Sequence, residues 1–115
     1  MTSLLHSILM RRRKYALLAA GLLAGPALAA DMSVIQKDLV FNQTAITVGI
    51  GDKVMWGNAD HVTHNIHIKG IGNAFDEDMG LQKYGMVISH NFDVAGSFQV
   101  ICSIHPHMKM IVVVK

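Results

Sequence analysis

The chain of 115 residues is long enough for one domain, is 51% hydrophobic and carries a formal net charge of +2. Four of its ten basic residues lie together at positions 11–14, so the rest of the sequence has a different charge balance. Residues 30–115 contain six lysines and eight acidic side chains, a formal charge of −2, which argues against binding to nucleic acid.

The first 29 residues have the pattern of a cleaved secretory signal peptide. An apolar run of 14 residues, 15–28, follows the basic block. It is shorter than the roughly 20 residues of a membrane-spanning helix. Ala-Leu-Ala at 27–29 is the small-x-small pattern of a cleavage site. The sequence therefore predicts an exported, periplasmic bacterial protein whose mature domain, residues 30–115, has no membrane span. An uncleaved anchoring helix is the alternative, and the export route, Sec or Tat, stays open.

The mature chain is predicted to be all β, because short stretches of alternating apolar and polar residues are separated by Gly, Asn and Asp. The predicted strands are residues 33–41, 45–48, 53–56, 64–68, 86–92, 98–102 and 110–114. Residues 70–85 lack a period and are predicted to be a loop with at most one helical turn. About seven to eight short strands in a domain of this size favour a sandwich or barrel.

The period of two also orients two side chains that can bind metals. Cys102 lies on the same predicted strand face as Phe98 and Val100, and His64 begins a similar row with Ile66. Each therefore stands at the end of an apolar row. Cys102 is the only cysteine, so it is paired between chains, buried and inert, reactive, or bound to a metal.

Cys102 begins a C-x2-H-x2-M motif that continues with His105 and Met108 between the last two predicted strands. A strand end followed by a short loop can aim a thiolate, an imidazole and a thioether at one point. His64, 38 residues upstream, is the candidate fourth ligand. Two imidazoles, a thiolate and a weak axial thioether suit copper in both oxidation states, whereas zinc gains little from methionine. Taken singly, the cysteine and the methionine could be ordinary core residues. Together, these side chains predict one mononuclear type 1 copper site.

Three segments of the mature domain carry family motifs: residues 51–58 (GDKVMWGN), 63–65 (THN) and 96–108 (GSFQVICSIHPHM). On these motifs the sequence resembles the cupredoxins, and among them the amicyanin, pseudoazurin and plastocyanin group. The resemblance covers nearly the whole mature domain. The resemblance implies a Greek-key β-sandwich with copper near one end. It also implies that Asn65 ties the two ligand loops together by hydrogen bonds, and that His105 and Pro106 form the electron port.

The predicted function is electron transport in the periplasm by Cu(I)/Cu(II) cycling, between partners such as a dehydrogenase and a c-type cytochrome. No enzymatic activity is predicted, and nothing in the sequence requires more than a monomer. Three further histidines, His61, His67 and His107, depart from the family pattern. They are interpreted either as ordinary exposed residues or as an accessory metal site, because neutral imidazoles bind Cu(II) well. The second interpretation supports an alternative function in copper tolerance, storage or delivery.

Overall fold

The computed structural model describes residues 28–115, so the predicted signal peptide lies outside the described residues except for its last two positions. This part of the chain is all β, as predicted, with nine strands rather than seven to eight. The strands are β1 (Asp31–Lys37), β2 (Val40–Phe41), β3 (Ala45–Val48), β4 (Asp52–Asn58), β5 (His64–Ile71), β6 (Asp76–Gln82), β7 (Val87–Phe92), β8 (Gly96–Ile101) and β9 (Lys109–Val114). Among these residues, no helix has the length and apolar character needed to cross a membrane.

The strands form two sheets that pack face to face as a Greek-key sandwich. One sheet has the order β2-β1-β4-β7, and the other has the order β3-β9-β8-β5-β6. β1 runs parallel to β4, with Asp31 opposite Lys53 and Gln36 opposite Asn58. β3 runs parallel to β9, and the remaining pairs are antiparallel. The starts of β5 and β9 and the end of β8 therefore meet at one end of the sandwich.

Alternation of buried and exposed side chains builds the core from both sheets. Trp56 on β4 is fully buried, its ring meets Phe92 edge-on with centroids 6.4 Å apart, and its indole Nε1–H donates to Met110 Sδ at 3.4 Å. Ile66 on β5 and Val100 on β8 are likewise fully buried. The rows predicted for β5 and β8 thus face the core, because each strand presents every second side chain to it.

Strand β6 corrects the predicted loop over residues 70–85. It pairs antiparallel with β5 along the edge of the larger sheet. Of its seven residues only Gln82 is buried, and Met79 is partly buried. An edge strand exposed on both faces shows no apolar alternation, and charged residues are common on such edges. Residues 76–82 of the predicted loop are therefore the exposed edge of a sheet.

The predicted first strand, residues 33–41, is also corrected, because it folds back on itself. Asp38 and Leu39 have φ values of +54° and +61°, and they form the turn between β1 and β2. Both oxygens of the Asp60 carboxylate accept hydrogen bonds here, from the backbone N–H of Asp38 at 2.7 Å and of Leu39 at 3.0 Å. Two-residue hairpin turns with positive φ usually contain glycine or asparagine, and this one has neither.

Candidate metal centre

Three potential ligand atoms meet at the end of the sandwich where β5 begins and β8 ends. His64 Nδ1 lies 3.2 Å from His105 Nδ1, and Cys102 Sγ lies 3.7 Å from each of these nitrogens. A first-row metal ion about 2.0–2.1 Å from nitrogen and about 2.3 Å from sulfur separates such donors by about 3.3–3.8 Å. The donor triangle thus has the dimensions and the ligand types of a mononuclear metal site. Within residues 28–115, it is the one group of three such side chains that could hold an ion.

The two sheet strands place His64 and Cys102 on the core side of the triangle. His64 is the first residue of β5, Cys102 follows the last residue of β8, and both are fully buried. His105, in the following loop, is only half-buried. Two donors are therefore shielded from water by the core, and the third lies at the protein surface.

Three backbone hydrogen bonds shape the loop from Cys102 to Met108. The N–H of His105 donates to the Cys102 carbonyl at 3.2 Å, and the N–H of Met108 donates to the His105 carbonyl at 2.9 Å. The N–H of Cys102 donates to the Met108 carbonyl at 3.1 Å and closes the loop. Met108 is thereby brought back beside Cys102, and its side chain is 1% exposed. A buried thioether at this position could serve as a fourth, weakly bound donor to copper.

Asp60 holds the second ring nitrogen of His64, a role that the sequence analysis missed. Nε2 of His64 donates to Asp60 Oδ2 at 2.8 Å, which leaves Nδ1 free to bind a metal. Burial favours a raised pKa for Asp60. The hydrogen bonds from His64 and from the backbone N–H groups of Leu39 and Asp38 outweigh burial, so the pKa lies below its ordinary value. The signal that could have found it is an acidic residue four positions before the histidine.

Asn65 connects the two segments that supply the donors. Its Oδ1 accepts a hydrogen bond from the backbone N–H of Ser103 at 2.6 Å, and its Nδ2 lies 3.3 Å from Ser103 Oγ. Asn65 is 4% exposed, so its side of the contact is protected from water, whereas Ser103 is exposed. The contact joins the residue after His64 to the residue after Cys102, which is the tie that the resemblance implied.

The structure does not bring His61, His67 and His107 together, and each has a partner of its own. The ring of His61 stacks on Tyr84 with centroids 4.4 Å apart. His107 Nε2 donates to the Leu39 carbonyl at 3.1 Å. His67 contacts the side chains of Asp76 and Ser103. Metal binding at these histidines stays a prediction.

The surface around His105 contains several apolar side chains. Ile104 is 48% exposed, Leu39 is 37% exposed, and Pro106 is also exposed. His107 stands among them, with its ring centroid 6.4 Å from that of His105. The predicted electron port is thus a partly apolar surface that includes one additional polar ring.

The sequence of this part of the chain matches known copper proteins. The family described as copper binding proteins, plastocyanin/azurin family, matches residues 28–115. Amicyanin-alpha of Methylorubrum extorquens is 32% identical over 103 residues, which cover 87% of this chain and 87% of its own length.

Solved structures of copper proteins share the fold. A reduced Cu(I) form of an amicyanin mutant at pH 4 has a TM-score of 0.67 at 26% identity, covering 80% of this chain and 87% of its own. A second amicyanin mutant in its Cu(I) form has a TM-score of 0.68 at 28% identity, covering 80% and 88% of the two chains. A copper-containing nitrite reductase from Thermus scotoductus shares the fold alone, at 21% identity over 24% of its length and 81% of this chain. The chain belongs to the plastocyanin/azurin family of copper-binding proteins, the cupredoxins, and its His–Cys–His cluster fits a single type 1 copper site.

Proposed function

We propose that this protein is a periplasmic electron carrier that holds one copper ion through His64, Cys102, His105 and Met108. The observation that carries the proposal is the donor triangle, in which two ligands are buried and the third, His105, lies at a partly apolar surface. When bound, copper supplies a one-electron couple between Cu(I) and Cu(II).

The protein's own groups hold the donor atoms in place and shield His64, Cys102 and Met108 from water. Cys102 supplies a soft thiolate donor from the buried end of β8, and Met108 supplies a thioether from the other end of the loop. Asp60 orients His64 through Nε2, and Asn65 holds the two donor-bearing segments together. Because these contacts do not depend on the oxidation state of a metal, we expect little rearrangement when one electron arrives or leaves.

His105 is the proposed route for the electron between copper and a partner protein. An apolar surface around an exposed ligand ring can pack against a partner and exclude water from the path. The partners proposed are periplasmic redox proteins, such as a dehydrogenase as donor and a c-type cytochrome as acceptor. Each encounter transfers one electron, and the monomer provides the whole site.

The proposal includes the absence of enzymatic activity. Four protein donors around one ion leave no open coordination position, whereas catalytic metal sites keep one for water or substrate. The resemblance to nitrite reductase is limited to the fold and does not suggest that reaction here.

The first experiment is visible absorption and electron paramagnetic resonance of the processed domain, residues 30–115, with one equivalent of Cu(II). We expect an intense blue thiolate-to-copper band and narrow hyperfine splitting, both lost in Cys102→Ser. Potentiometry should then show a reversible one-electron couple. A colourless complex with ordinary tetragonal copper signals would contradict the proposed ligand set.

Copper tolerance, storage or delivery is the second candidate function. It is favoured by two histidines near the donor triangle: His67 Nδ1 lies 3.3 Å from the Oγ of Ser103, the residue after Cys102, and the His107 ring centroid lies 6.4 Å from that of His105. Equilibrium dialysis separates the two functions. Additional copper equivalents that disappear in His61→Gln or His67→Gln would support copper handling, whereas one tight equivalent in every variant would favour the electron carrier.

A further inference from the structure

A second side chain of β5 reaches the same hydroxyl group that Asn65 contacts. His67 Nδ1 lies 3.3 Å from Ser103 Oγ, and its Nε2 is hydrogen bonded to the Asp76 carboxylate on β6. These contacts form a continuous hydrogen-bond chain through four side chains, Asn65, Ser103, His67 and Asp76. This hydrogen-bond chain begins beside Cys102 and ends on the exposed edge of the larger sheet, where the Asp76 side chain is 61% exposed.

Which atoms donate and which accept along this hydrogen-bond chain follows from the charge of Asp76. The hydrogen bond from His67 lowers the pKa of Asp76, so its carboxylate accepts and does not donate. His67 therefore carries its proton on Nε2, and in the neutral ring Nδ1 is an acceptor. The Ser103 hydroxyl donates to that nitrogen, while its oxygen accepts from Asn65 Nδ2–H at 3.3 Å.

Both ring nitrogens of His67 have a hydrogen-bond partner, Ser103 at Nδ1 and Asp76 at Nε2. It faces Asp78 across the β5–β6 pair and Ile101 across the β5–β8 pair. Lys69, two residues along β5, contributes an attractive charge at Asp76. The His67 side chain is only 19% exposed. It is thus built into the sheet, and the acidic partner on β6 selects its tautomer.

We propose that His67 is a positioning residue for the copper loop. It acts through the Ser103 hydroxyl, fixing the orientation of the residue that follows Cys102, and Asp76 holds His67 in the required tautomer. The consequence for copper rests on the proposed function. The hydrogen-bond chain itself can be tested in the metal-free protein, so the two proposals can fail separately.

The first test is long-range ¹H–¹⁵N NMR of the imidazole groups in the processed protein, without metal and with Cu(I). We expect His67 to carry a proton on Nε2, facing Asp76, in both forms. Asp76→Asn should mix the two tautomers, because an amide can present either its oxygen or its NH₂ group to Nε2. Glu77→Gln is the matched control, since it removes the same charge from the neighbouring position of β6. A wild-type His67 protonated on Nδ1 overturns the proposal.

The second test compares His67→Leu with His67→Gln. The glutamine amide has a carbonyl oxygen that can accept from Ser103 and an NH₂ group that can donate to Asp76, whereas leucine can do neither. We expect His67→Leu to weaken Cu(II) binding about tenfold, as loss of an outer-shell partner does. His67→Gln should restore most of the affinity and the wild-type hyperfine splitting.

The Ser103→Ala variant shows whether His67 acts through the hydroxyl. If it does, the losses in His67→Leu and Ser103→Ala are not additive, and the double variant binds Cu(II) about as well as Ser103→Ala alone. Additive losses, or a His67→Leu variant with wild-type affinity and spectrum, overturn the positioning role. A wild-type protein that binds no copper refutes the proposed function, while the NMR experiment still decides the hydrogen-bond chain.

Discussion

Asp60 Oδ2 accepts a hydrogen bond from His64 Nε2 at 2.8 Å, while the same carboxylate holds the turn at Asp38 and Leu39 through their backbone N–H groups. One acidic side chain therefore connects the tip of the β1–β2 hairpin to a proposed copper ligand. Asp60 is 9% exposed, so water competes little for these contacts.

Replacing Asp60 should weaken copper binding through His64. We expect Asp60→Asn to reduce Cu(II) affinity about tenfold, because the amide oxygen still accepts from Nε2–H but the charge is lost. Asp60→Ala removes both and should approach the upper end of the roughly 10- to 100-fold range for such partners. Competitive titration with a chelator measures the affinity. The control is Asp93→Asn, an exposed acidic residue in the β7–β8 turn, and equal effects in the two asparagine variants would contradict the argument.

The turn at Asp38 and Leu39 predicts a stabilising substitution. Left-handed backbone costs roughly 1–2 kcal/mol per ordinary L-residue, and aspartate tolerates it better than most. We therefore expect Asp38→Gly to raise the free energy of unfolding by about 0.5–1 kcal/mol in urea denaturation. Lys37→Gly is the control: Lys37 lies in the extended strand β1, where glycine should lower stability by about 0.5–1 kcal/mol. A loss of stability in both variants would show that the turn is not strained.

Two isoleucines on β5 test how much of the stability comes from the core. Ile68 is fully buried, whereas Ile71, on the same strand, is 48% exposed. Ile68→Val should lower the free energy of unfolding by about 0.5–1.5 kcal/mol, because it removes one methylene from a packed site. Ile71→Val should change it by less than about 0.5 kcal/mol. Chemical denaturation of the metal-free protein gives both values, and similar losses would place the core boundary elsewhere on β5.

Asp52 predicts how stability changes in acid. Hydrogen bonds from the backbone N–H groups of Ala30 and Gly49 lower the pKa of this carboxyl below its ordinary value of 3.8. Because the folded state favours the charged form, the contribution to stability is full above the ordinary pKa. It is lost as the pH falls from about 4 through the lower folded pKa.

The Asp52→Asn variant should therefore show a flatter decline in thermal stability below about pH 4 than the wild type. Asp93→Asn, for which no such contact is present among the described residues, should retain the wild-type slope. The measurement is the melting temperature of the metal-free protein as a function of pH. An unchanged acid slope in Asp52→Asn would show that the two N–H contacts do not stabilise the folded state.

The donor triangle could be predicted from sequence because Cys102 and His105 belong to a local motif and His64 begins an apolar row. Asp60 has only the spacing of four residues to His64 as a signal, and its contacts with Asp38 and Leu39 exist only after the β1–β2 hairpin has folded beside it. The Greek-key β-sandwich followed from the resemblance, because periodicity alone left a sandwich or a barrel open.

Strand β6 was missed for a related reason. Its residues are exposed on both faces, so it has no alternation that a sequence pattern could reveal. The contact between Asp76 and His67 depends on this unpredicted pairing, which places a side chain from an apparent loop against β5. Edge strands and turns without glycine are thus the parts of this fold that composition and periodicity describe least well.

The parallel pairing of β1 with β4 has a consequence for attachments to this protein. β1 starts at Asp31 opposite Lys53, and both strands run toward Asn58, which leads into the segment holding Asp60 and His64. Strand β4 has seven residues, and at about 3.3 Å per residue it carries the chain roughly 20 Å from its start. A label, a surface linker or a lipid tether placed ahead of Asp31 is therefore joined at the end of the sandwich remote from the donor triangle. An electrode coated with molecules linked in this way would present the His105 surface to solution, ready to meet soluble partners.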